Sequence, residues 1–137
     1  MSFTYQIEAN GYIAHVIGKE QGSLDAAGVT FNDLIADQHL HRPFGLLIDV
    51  RALSNVPTRE EAYSLSKFAR VGNNSAKHFT ALVVKRGVQY GMARMIKVFS
   101  EMLGANVNVF TDDQSAQLWL LEQLKLAAES NSFDVKQ

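Results

Sequence analysis

Cysteine is absent from the 137 residues. That removes thiol catalysis, disulfides and cysteine-based zinc sites, and it fits a reducing compartment. No apolar run approaches the roughly 20 residues a helix needs to cross a bilayer. Residues 1–8, MSFTYQIE, hold neither a basic n-region nor an apolar h-region, so no signal peptide is expected. The expected location is the cytoplasm, with reversible docking at the inner membrane as an extension of that expectation. The Gly-x-Ser-x-Gly elbow of hydrolases is missing. The glycine turn at 85–91, KRGVQYG, opens a helix that offers free amides to an anion but lacks the Gly-Lys-Ser/Thr ending of a phosphate loop. No nucleophile, base and oxyanion set can be assembled, so an enzyme is not expected. Without an aromatic-interleaved basic run, a helix-turn-helix or an RNP pattern, nucleic acid is not an expected partner either.

Of the four histidines, His39 and His41 are two apart with Asp37 as the nearest carboxylate, too few ligands for a metal. His15 and His78 fall inside strand patterns. No metal and no cofactor is expected.

What is present is a partitioned charge. The net charge of -1 divides into -4 over residues 1–50, +7 over 51–97 and -4 over 98–137. In the middle third Arg51, Arg59, Lys67, Arg70, Lys77, Lys85, Arg86, Arg94 and Lys97 face only Glu60 and Glu61. Either this segment neutralises the acidic thirds in the folded molecule, or it attracts anionic headgroups, phosphates or an acidic partner.

Hydrophobic periodicity supplies the elements. Phe3, Tyr5, Ile7 and Ala9 alternate with polar residues, and Tyr12, Ala14 and Val16 resume the alternation after Asn10-Gly11, a hairpin signature. A two-residue turn would pair Ala9 with Tyr12, Ile7 with Ala14 and Tyr5 with Val16. Residues 18–30 read as a glycine-punctuated connection with one helical turn near Leu24, followed by a helix over 31–40 capped by Thr30. Gly45 to Val50 reads as a strand covered on both faces. Pro57 stops it, and Thr58 with Glu61 has capping-box spacing that opens a helix with Ala62, Leu65, Ser66 and Ala69 inward. Val71 to Ser75 ends that helix, and a strand over 78–85 follows. The next helix carries Val88, Met92, Met95, Ile96, Phe99 and Met102 as its apolar stripe and Gly104 as its cap. A strand over 106–110 leads to a last helix that starts at Thr111 with Gln114 and runs to about Ser130. A hairpin followed by crossover-linked parallel strands gives an α/β domain, a mixed five-stranded sheet packed with four helices.

The phrases Leu46-Leu-Ile-Asp-Val-Arg51, His78-Phe-Thr-Ala-Leu-Val-Val84 and Val107-Asn-Val-Phe-Thr-Asp, the last running into Ala116-Gln-Leu-Trp-Leu120, resemble the SpoIIAA-like family. That family is related to STAS and Sec14-type lipid-binding domains. The resemblance implies one STAS-like domain over 1–130 and a frayed tail over 131–137. In anti-anti-sigma members an Asp-Ser-Ser-Gly loop carries a phosphoacceptor serine. This chain has Val56-Pro-Thr-Arg-Glu60 there, so the family's phosphorylation switch is not carried over, and Thr58 reads as a helix cap.

Two functional readings follow. The first is a non-catalytic module that binds an apolar or amphipathic, lipid-like small molecule, or docks on an anionic membrane, in a groove beyond the carboxyl ends of the parallel strands. Arg51, Arg86 and Arg94 would hold the headgroup. Met92, Met95, Phe99 and Trp119 would hold the tail, with Tyr90 beside them. Such a methionine stripe is more often plain core, since a helix packed on a sheet shows this spacing anyway. The second reading is a regulatory protein-interaction domain that meets its partner through Ser54, Thr58 and Arg59. The run Leu118 to Leu121 is apolar over more than one helix face, so it is expected to meet something besides the sheet: a neighbouring helix, lipid or, in a homodimer, a second subunit.

Overall fold

Alternation in the first strands becomes a hairpin in which β1 (Phe3–Ile7) runs antiparallel to β2 (Ile13–Glu20), with Tyr5 opposite Val16 and Ile7 opposite Ala14. The computed structural model describes residues 2–68 and 78–136, with side chains as far as residue 129. The expected pairing of Ala9 with Tyr12 does not form. The Glu8 N–H donates to the Ile13 carbonyl and the Gly11 N–H to the Glu8 carbonyl, both at 2.8 Å. These bonds close a wider turn that leaves Ala9 and Tyr12 exposed.

From β2 the chain passes through α1 (Leu24–Ile35), β3 (Phe44–Leu53), α2 (Arg59–Phe68), β4 (His78–Val83), α3 (Val88–Met102), β5 (Asn106–Phe110) and α4 (Asp113–Lys136). The sheet has the order β1-β2-β3-β4-β5, with β2 to β5 parallel. This order decides which face each helix covers. Successive parallel strands are added always on the same side, and right-handed crossovers then place α1, α2 and α3 on one face. Only α4, which follows the last strand, is free to cover the other. The packing agrees: Ala14, Val16, Leu46, Phe31 and Leu34 form a core beneath α1, while Leu47, Phe79, Ala81 and Val83 meet Ala116 and Leu120 of α4.

Local chemistry explains the helix ends. The Glu61 N–H donates to Thr58 Oγ1 at 3.1 Å, and Glu61 Oε1 accepts from the Thr58 N–H at 2.9 Å, the expected capping box of α2. At the end of α3, Gly104 has φ of +85°. The Ala105 N–H reaches the Ser100 carbonyl and the Gly104 N–H the Glu101 carbonyl, a Schellman motif that needs glycine's left-handed backbone. The inward side of α2 carries Ala62 and Ser66 as expected. Ala69, Arg70 and the stop at 71–75 lie outside the described residues.

Four expected boundaries move, both ends of α1 and both ends of α4. Helix α1 begins at Leu24, where Ser23 accepts the Ala26 N–H at 3.1 Å. It ends before Ala36, and Thr30 is a buried residue inside it rather than its cap. Gly28, which reads as a helix breaker, instead lets α1 approach α2: a Cβ there would lie 3.3 Å from Phe68 Cζ. Helix α4 is capped by Asp112, whose Oδ1 accepts the Ser115 N–H at 2.7 Å, not by Thr111 with Gln114. The same helix continues to Lys136, past the expected end near Ser130 and through the segment expected to fray. Among the described residues no helix is long and apolar enough to cross a membrane.

Candidate functional site

The face under α1, α2 and α3 is not filled. A cavity of about 180 Å³ lies between these helices and the sheet. Its floor is Val16 from β2, Leu46, Ile48 and Val50 from β3, and Leu82 and Val107 from β4 and β5. Leu24, Ala27 and Phe31 of α1 form one wall, Leu65 and Phe68 of α2 a second, and Met92, Ala93 and Ile96 of α3 a third. Strand alternation brings these residues together: Leu46, Ile48 and Val50 of β3 and Thr80 and Leu82 of β4 lie on one face of the sheet.

Polar residues interrupt that lining at Ser23, Thr30, Asn55, Glu61, Gln89, Thr80 and Ser100, and two of them stand out. Thr80 of β4 is 4% exposed and Ser100 of α3 is fully buried. Both residues border the cavity, and neither Oγ1 of Thr80 nor Oγ of Ser100 has a hydrogen-bond partner among the described residues. Among the described residues Glu61 is the only ionisable one in the lining, and its carboxylate accepts the Thr58 N–H.

At the carboxyl ends of the strands two loops meet. Asn55 receives the Gly22 N–H on Oδ1 at 2.8 Å and donates from Nδ2 to the Gly22 carbonyl at 2.9 Å. Beside it the Ser54 N–H and hydroxyl both donate to the Glu20 carbonyl, at 2.7 and 3.0 Å. Gln89 closes the neighbouring edge: its Oε1 accepts the Lys85 N–H and its Nε2 donates to the Val50 carbonyl at 2.9 Å.

The eight residues expected to share one ligand groove are dispersed. Met92 alone lines the cavity. Arg86 and Tyr90 border a separate open depression with Phe110, Thr111 and Asp112 at the ends of β4 and β5. Arg94 is exposed, with Nη1 3.4 Å from the Tyr90 hydroxyl, and Met95 is half-buried outside the cavity. Phe99 packs edge-on against Tyr63 at 5.5 Å, joining α3 to α2. Trp119 lies across the sheet, edge-on to Phe79 at 6.5 Å and tilted on Phe110 at 5.8 Å. Arg51 donates from Nη2 to Asp49 Oδ2 at 2.8 Å and from Nε to Oδ1 at 3.0 Å. Those hydrogen bonds hold the Asp49 carboxyl below the usual carboxylate range against the opposing effect of burial, and they raise the Arg51 guanidinium in turn.

In the interaction loop, the Ser54 and Thr58 hydroxyls are engaged by the fold's own backbone, while Arg59 stands exposed at the start of α2. Of the remaining imidazoles, His39 pairs with Asp37 at 2.9 Å and His15 with Glu8 at 2.6 Å. His78 is buried and stacks on Phe44 with ring centroids 5.0 Å apart.

The stripe drawn for α3 needs correction. Val88 is 74% exposed and Met102 77%, whereas the buried positions are Ala93 and Ser100. Neither Thr80 nor Ser100 was expected at a site, although Ser66 was expected inward on α2. Their signal was legible: each is a hydroxyl at a position where strand alternation or helical spacing from Ile96 calls for an apolar side chain.

Neither a protein-family model nor a curated protein matches the chain. A solved structure does. The crystal structure of an uncharacterized protein of the DUF3478 family from Shewanella loihica PV-4, described as having a SpoIIAA-like fold, is 14% identical in sequence. The match covers 86% of this chain and 91% of that one, with a TM-score of 0.57. With its hairpin, its parallel strands and its four helices in the expected order, the chain has a SpoIIAA-like fold.

Proposed function

We propose that the chain is a non-catalytic binding module for a small, mainly apolar molecule held between the sheet and helices α1, α2 and α3. The cavity is the observation that supports this reading. Cores close-pack, and voids larger than a water molecule are few in a domain. Drug-sized ligands occupy pockets of about 300–1,000 Å³, whereas an apolar cavity of about 150 Å³ holds a benzene. At about 180 Å³ this one fits a single ring or a short branched chain. That narrows the expectation of a lipid-like ligand to a much smaller body. The reading as a protein-interaction domain draws less support, because two of its three loop side chains are tied into the fold.

Toluene is the direct probe. A ligand that binds only the folded state stabilises it by about 1.4 kcal/mol at ten times its Kd, which raises Tm by a few degrees. Toluene-saturated buffer is therefore expected to raise Tm and to shift the methyl resonances of Leu82 and Val84. Ala27→Leu, which fills the cavity from α1, abolishes both effects. An unchanged Tm together with unshifted methyl resonances in the wild-type protein would sink the reading.

A further inference from the structure

The two unpartnered hydroxyls narrow the ligand's chemistry, on the footing that the cavity is a binding site. Buried polar atoms in native proteins are nearly all hydrogen-bonded, and each exception asks for an explanation. Here two exceptions border the same cavity from different elements, Thr80 on the sheet and Ser100 on α3. Each hydroxyl carries one donor and two acceptor sites, so the pair can both give a hydrogen bond to a ligand oxygen and take one from it. The rest of the lining cannot serve an ion. No cationic side chain borders the cavity among the described residues, and its single carboxylate, on Glu61, disfavours a second negative charge. Arg51, Arg86 and Arg94, the cations expected to hold a headgroup, all lie outside it.

We infer that Thr80 and Ser100 form a polar recognition point for a neutral, ring-sized molecule bearing a hydroxyl or carbonyl oxygen, a phenol, cyclic alcohol or cyclic ketone. A carboxylate of the same size is excluded, because its charge would be buried without a partner. A hydrocarbon of the same size binds but leaves both hydroxyls unpaired, which weakens it relative to the oxygen-bearing ligand.

The experiment measures Kd for phenol, toluene and benzoate by titration, followed by nuclear magnetic resonance, on the wild-type protein and on Thr80→Val, Ser100→Ala and the double variant. In the single variants the preference for phenol over toluene falls roughly threefold to tenfold, the range expected for one hydrogen bond, while toluene binding is kept or improved. Benzoate binds at least about tenfold more weakly than phenol, since burying an unpaired charge costs more than one neutral hydrogen bond contributes. The Tm of ligand-free Thr80→Val is unchanged or raised, because valine keeps the shape and removes an unpaired hydroxyl. A phenol-to-toluene ratio unmoved by either substitution, or benzoate binding equal to phenol, would overturn the inference while leaving the cavity a binding site. A lowered Tm for ligand-free Thr80→Val would overturn it too, by showing that the hydroxyl already has a partner. Loss of binding for both phenol and toluene in the wild-type protein strikes the proposed function itself.

Discussion

The two faces of the sheet are built from the same strands and pack in opposite ways. Against α4, Leu47, Ala81, Ala116 and Leu120 are buried to 1% exposure or less, and Gly45 brings the backbone so close that a Cβ there would lie 3.1 Å from Leu120 Cδ2. Against α1, α2 and α3, side chains of similar type enclose open space. The difference lies in how many bodies must fit together. One helix laid on the strands can settle until small residues let it touch the backbone. Three helices held by three crossovers and by each other cannot all do so, and the volume between them is what remains. One face is close-packed, and the other keeps the cavity.

The largest test of that contrast is truncation. Leu120→Ala removes a fully buried side chain from the dense face and is expected to cost about 3–4 kcal/mol, whereas Leu65→Ala, at the edge of existing space, costs about half as much. Urea denaturation measures both, and equal losses would break the contrast. Enlargement should show the reverse asymmetry. Ala116→Leu forces extra volume into the dense face and destabilises by about 2–3 kcal/mol, while Ala27→Leu enters the cavity and stays within about 0.5 kcal/mol of the wild type or gains stability. If both enlargements destabilise alike, the cavity collapses in solution.

The smallest effect concerns acid. Asp49, on the α4 side, has its carboxyl lowered by Arg51, so its contribution is complete above the unfolded carboxylate value near ~3.9 and is lost as pH falls through the lower folded value. With Arg51 40% exposed and Asp49 23%, solvent screening keeps that contribution below about 1 kcal/mol. Asp49→Asn is therefore expected to narrow slightly the gap in stability between neutral pH and about pH 3, as followed by thermal unfolding. An unchanged gap would assign the acid sensitivity to Asp37 and Asp112, whose carboxyls are lowered chiefly by backbone N–H groups of His39 and Ser115.

Much of the fold was legible because local rules govern it. Asn10-Gly11 announced the hairpin, Thr58 with Glu61 the start of α2, and Gly104 the end of α3. Where two local rules competed, reading failed. Gly28 looked like a breaker because its use, close approach to Phe68, comes from a helix far along the chain. Asp112 displaced Thr111 as the cap because either residue can serve, and the path out of β5 chooses between them. The site was hardest to see. Placing Trp119 beside Met92 ignored the handedness of the crossovers, which had already sent α4 to the opposite face. The cavity itself arises from five strands and three helices, and no single stretch of sequence encodes it.

The clasp between Asn55 and Gly22 has a consequence for time rather than affinity. One side chain supplies both of these bonds between the β2–α1 and β3–α2 loops, so they break together in a single rotation of the Asn55 amide, while the Ser54 bonds to the Glu20 carbonyl still hold the strand ends beside them. Parting the loops at that point requires neither unfolding of the sheet nor movement of a helix. It is a local opening, far cheaper than global unfolding and correspondingly frequent. The tempo of that opening is independent of the stability of the domain, and hydrogen exchange at the Gly22 N–H, which donates to Asn55 Oδ1, reads it.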